Sequence, residues 1–158
     1  MNTDFCCLPP NTYERYSVRK VSRQEADAFK WIESQKVGRD LGEFALQLWI
    51  QKHWWGFLRA RLIEHLQGAR YWTELDLEDF GLLQREFLDQ QPLLNTIVAL
   101  LLGGNDNLEV ILWAHENDKP VELVLKMLER ININARRLVL EYNSAQGVDP
   151  DQCWYVRK

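Results

Sequence analysis

The chain has 158 residues, enough for one domain that buries roughly two-thirds of the surface its unfolded form exposes. Hydrophobic residues make up 46% and charged residues 27%, a balance that excludes wholesale disorder. The net charge of −4 speaks against nucleic acid as a partner, because such a face normally carries a clear basic excess.

Residues 1–21 contain Pro9-Pro10 and no helical period, which predicts an N-terminal arm, extended or flexible. They contain no continuous apolar stretch of signal-peptide type. Cys6, Cys7 and Cys153 lack metal-ligand spacing, and an odd count without secretory features predicts reduced thiols in a cytoplasmic protein. The longest apolar run, residues 97–102, is too short to span a bilayer, so no membrane association is expected.

A helical domain is expected over 22–146. Ser22-Arg23-Gln24-Glu25 has the form of a capping box, predicting a first helix from Arg23 to about Lys36 with Gly38 as its left-handed stop. Asp40 offers a second cap, and a long run from about 41 to 67 follows, ended by Gly68. This run is apolar most of the way round, as a helix buried at the centre of a bundle would be. Leu41, Leu48, Trp55 and Leu62 recur every seven residues and suggest its packing seam. Gly56 interrupts it and suggests a place where another helix approaches closely.

Asp76 suits the cap of a third helix, over about 77–90, and Pro92 the first turn of a fourth that ends at Gly103-Gly104. Asn105 or Asp106 opens a fifth helix, Asp118-Lys119-Pro120 a sixth with Val121, Val124, Leu125 and Leu128 inward, and Asn132 or Asn134 a seventh to about Tyr142. Val110, Leu123 and Met127 fall off the main stripes, as expected of helices packed on a second side or meeting a partner. Residues 147–158 read as a C-terminal tail. The fold class is all-α, a single-domain bundle of six or seven helices around a buried central helix.

Chemistry is expected along that central helix. Glu43, Gln47, Trp54, Arg61 and His65 follow one another by steps of three, four or seven and can share one side. Arg59 and Arg61, near several tryptophans, could grip an anionic ligand while an indole stacks on it. The simpler reading pairs them with the acidic segment that follows, through Glu74, Asp76, Glu78 or Asp79. Residues 73–107 hold one basic residue against seven acidic ones. His53, Glu64 and His65 form no Glu-x-x-His or His-Glu-x-x-His motif, so no metal and no other cofactor is implied. Phosphate-binding and nucleophile motifs are absent as well.

These observations favour a non-catalytic protein–protein interaction or regulatory module, its partner another protein or a second copy of the chain. The alternative is a small-molecule or metal-binding helical protein, possibly an enzyme. Its site would lie among Glu43, His53, Trp54, Arg59, Arg61, Glu64 and His65.

Overall fold

Helix α1 (Val18–Val37) starts at Val18 rather than Arg23, because the capping serine is Ser17 and not Ser22. The Ser17 hydroxyl accepts from the Lys20 amide at 3.3 Å, and Ser17 has the extended backbone of a cap. Ser22 lies one turn inside the helix, fully buried, and its hydroxyl donates to the Arg19 carbonyl. The computed structural model describes residues 15–136, together with the backbone of 140–142 and 154–156. The arm before residue 15, the three cysteines and most of the tail lie outside the described residues.

Gly38 ends α1 in the left-handed conformation, as expected, with its amide on the Ser34 carbonyl. Asp40 turns the chain by accepting from the Gly42 amide at 2.9 Å. The central helix then runs unbroken through α2 (Glu43–Trp49), a π-helical stretch (Ile50–Trp54) and α3 (Trp55–Gln67), stopping at left-handed Gly68.

The π stretch replaces the expected seam. Ala45, Trp49, Trp54, Leu58, Leu62 and Leu66 are all at most 2% exposed. The steps between them are four residues throughout, except for the step of five from Trp49 to Trp54. In an unbroken α-helix five residues turn the face about 140° away from its starting direction. The wider i→i+5 turn of the π stretch returns it to the same side. Trp55, predicted in the seam, is therefore 45% exposed, whereas Leu62 is core on either reading. Gly56 meets nothing: a Cβ built there has no neighbour within 4 Å, so no helix approaches it.

Three further helices complete the core in sequence: α5 (Gln91–Leu102) packs on α3, α6 (Asn107–Glu116) on α5 and α7 (Val121–Ile131) on α6. Their bounds follow the expected cap signals, including Asp106, whose carboxylate accepts from the Glu109 amide at 2.8 Å. Val110 and Met127 are fully buried and Leu123 packs partly on the core, so these off-stripe residues serve internal packing. The outward positions are Leu108, Leu112 and Leu125 instead.

The segment expected as one helix over 77–90 is broken. It contains a 3-10 turn (Leu77–Asp79), short helix α4 (Leu82–Glu86) and a second 3-10 turn (Leu88–Gln90). Gly81, in the left-handed conformation between the first two, donates its amide to the His65 carbonyl at 2.9 Å. That tertiary bond takes precedence over helical propagation. The expected seventh helix likewise shortens to α8 (Ile133–Arg136), and residues 140–142 form strand β3 (Leu140–Tyr142), antiparallel to β4 (Trp154–Val156). A second small pair joins β1 (Arg15–Tyr16) in parallel to β2 (Tyr71–Trp72). The architecture is all-α, with these two short strand pairs added to the helices.

Two outcomes check this account. Ser17→Ala should lower stability by about 1 kcal/mol, whereas Ser22→Ala should change it little, as read by urea midpoints. Gly56→Ala, at an unobstructed helical position, should raise stability by about 0.5–1 kcal/mol, and a fall in the midpoint would contradict the open surroundings described.

Candidate functional site

The C-terminal end of α3 gathers the polar residues that the sequence singles out, and the loop over 71–81 folds across them. His65 is 1% exposed, wedged edge-on between the rings of Tyr71 and Phe80. Its Nδ1 lies 3.2 Å from the Trp72 backbone nitrogen and therefore accepts that amide's hydrogen. The ring proton consequently sits on Nε2, which donates to the Asp76 carbonyl at 2.7 Å. Both ring nitrogens are thus committed to backbone groups of one loop. Burial holds the imidazole below its ordinary range. The Asp76 carbonyl and the charges of Asp79 and Asp76 pull the other way, while Arg136 adds to the lowering.

Glu64, one residue earlier, faces the indole of fully buried Trp72. One carboxylate oxygen accepts from the Trp72 indole N–H at 3.1 Å and the other from the Arg61 guanidinium at 2.8 Å. Arg61 lies over the rings of Phe57 and Trp72, at 4.8 and 5.5 Å. Arg59 points elsewhere and donates to the Leu101 carbonyl at 3.1 Å, satisfying the last turn of α5.

The remaining candidates are not brought to this end. His53 precedes His65 by about 18 Å of helix rise; it is exposed, with its ring against Phe29. Glu43 is exposed at the start of α2. Trp54 is 2% exposed and packs among Trp49, Trp55 and Phe57, so its indole serves the core.

Contrary to expectation, the acidic segment does not pair with Arg59 or Arg61, which are engaged by the Leu101 carbonyl and Glu64, and it takes other partners. Glu74 caps α1 across the tertiary structure, accepting from the Ser17 hydroxyl at 2.5 Å and the Val18 amide at 2.8 Å. Asp79 pairs with Arg136, and Glu86 takes both ends of the Arg130 guanidinium at 2.6 and 2.7 Å. Both arginines come from the C-terminal helices, Arg130 from α7 and Arg136 from α8. Asp76 caps no helix; its contribution is the backbone carbonyl. Sequence reasoning missed Arg136, and it set Glu74 against Arg59 or Arg61 rather than against the start of α1. The concentration of acid over 74–79 was the only signal for either.

A cavity of about 60 Å³ adjoins the His65 ring, bordered by Glu74, Asp76, Asp79 and Arg136. Its volume is that of a few waters, far smaller than a small-molecule site. Among the described residues no group of three or more His, Cys, Asp or Glu is placed to hold a metal ion. Among them also, no helix is long and apolar enough to cross a membrane. The chain matches no family model, and neither the curated proteins nor the solved structures give a match.

The arrangement fastens a loop to a helix end. Glu64→Ala should cost about 1–3 kcal/mol, because it leaves the buried Trp72 N–H without its acceptor. Chemical denaturation followed by circular dichroism reads this cost directly, and a change below about 0.5 kcal/mol would show that the indole bond carries little weight.

Proposed function

We propose that the protein works by binding another polypeptide, without catalysis, through large apolar side chains that its N-terminal helices leave outside the core. The observation that carries this reading is the exposure of Trp31 and Phe44, at 66% and 65%. Ile32 and Val37, on the same pair of helices α1 and α2, are about half exposed as well. Aromatic anchors of this kind dominate the energetics of protein interfaces, tryptophan above all. On α1 the buried line is Val18, Ser22 and Ala26, and Trp31 stands about 140° around the helix from Ala26. Its exposure therefore follows from helix geometry and not from a frayed end. The commitment of His65, Glu64 and Arg59 to internal hydrogen bonds supports a binding role over catalysis, since a catalytic base must be able to reach a substrate proton.

The double variant Trp31→Ser, Phe44→Ser tests the reading. Both side chains lie outside the core, so the variant should keep the wild-type circular dichroism spectrum and melting temperature. Sedimentation velocity reads self-association, and cross-linking in cell extract followed by mass spectrometry reads other partners. The expected result is a specific complex formed by the wild-type chain and lost in the variant. Identical sedimentation and identical cross-linked species for the two would overturn the proposal.

A further inference from the structure

We propose that His65 is an acid-sensitive latch for the start of α1: protonation of its Nδ1 frees the 71–74 segment and, with it, the N-terminal anchorage of that helix. The inference stands apart from the binding reading, because it concerns the opposite end of α1 from Trp31.

The geometry admits only the neutral ring. Nδ1 accepts from the Trp72 amide, so a proton placed there sets donor against donor and the bond is lost. Trp72 is the residue through which α1 is tied down. Its strand β2 pairs Tyr16 with Trp72, the next amide, Thr73, donates to the Tyr16 carbonyl at 2.8 Å, and Glu74 then caps α1. Three successive residues thus carry the attachment, and His65 holds the first. Further along α1, Ser22 and Ala26 are buried and Val21 and Phe29 pack partly on the core, so the 71–74 attachment governs the start of the helix and leaves the rest in place.

The alternative position for a charged ring is also present. The adjoining cavity is bordered by Glu74, Asp76, Asp79 and Arg136. The charges of Asp76 and Asp79 favour an imidazolium and Arg136 of α8 opposes it. The Glu74 carboxylate is held at the start of α1, and Asp79 is paired with Arg136. The other charged or titratable groups near the ring are engaged elsewhere. Glu64 binds Arg61 and the Trp72 indole, Tyr71 packs its ring on His65 under Arg15, and Arg85 of α4 donates to the Phe80 and Glu78 carbonyls.

The sign follows from linkage. Burial lowers the folded ring's affinity for protons, while the released ring regains an ordinary pKa of about 6.5. The latch is fully effective above that value and weakens as pH falls below it. At pH 5.5 the released state binds protons in about a tenfold excess over its neutral form, so its population should rise by up to about tenfold.

Hydrogen–deuterium exchange at pH 7.5 and 5.5, corrected for intrinsic exchange rates, tests this on the full chain and on His65→Asn. The variant keeps an acceptor for Trp72 and cannot titrate. The expected result is faster opening of residues 15–22 and 71–74 at pH 5.5 in the wild type, unchanged α5 to α7, and no pH response of those segments in the variant. Should the variant fail to fold, the segment comparison within the wild type decides alone. Equal protection at both pH values, an equal rise across all helices, or the same local response in His65→Asn would each overturn the latch.

Discussion

A single line of buried side chains along the central helix sets the terms for the rest of the protein. From Ala45 to Leu66 every turn places one residue against the core, and the π-helical stretch at Ile50–Trp54 keeps that line in register. Without the added residue, the line that buries Ala45 and Trp49 would point away from the face that buries Leu58, Leu62 and Leu66. The wide turn costs helical regularity, and the core position of Trp54, packed among Trp49 and Phe57, offsets it. It also fixes where Arg59, Glu64 and His65 emerge at the far end of the helix.

At that end, satisfaction of buried polar groups governs the structure. His65 and the Trp72 indole are inside, and a buried donor or acceptor without a partner is more costly than the gain from making one bond. The 71–81 loop supplies the matching groups, and its backbone departs from a helix to do so. Gly81 adopts the left-handed conformation with its amide on the His65 carbonyl, and the segment on either side breaks into short turns. Glu74 and Asp79 of the loop are then directed to α1 and α8, and Glu86 at the end of α4 to α7. Charge that reads in sequence as a block facing its neighbours becomes three separate ties to remote elements.

The apolar surplus is divided in a similar way. Val110 and Met127 complete the core, while Leu108 and Leu112, one turn apart on α6, stay outside it. Trp31 and Phe44 are the largest such exposures on the first two helices.

The sequence by itself determined the all-α class, the glycine stops at Gly38 and Gly68, the Asp106 cap and the extents of α5, α6 and α7. Each depends on contacts within a few residues: a side chain on a nearby amide, or a left-handed glycine. It also named Arg61, Glu64 and His65, but within a polar side of the central helix that reached back to Glu43; only the folded loop gathers these three at one end. Tertiary structure decided the rest. The seam through Trp55 failed because a π turn has no sequence signature that heptad spacing reveals. Ser22 lost the cap to Ser17 because Glu74, remote in sequence, reinforces the earlier start. The third helix broke because His65 and Gly81 meet only once the chain has folded, and such long-range hydrogen bonds leave no periodic trace in the residues that make them.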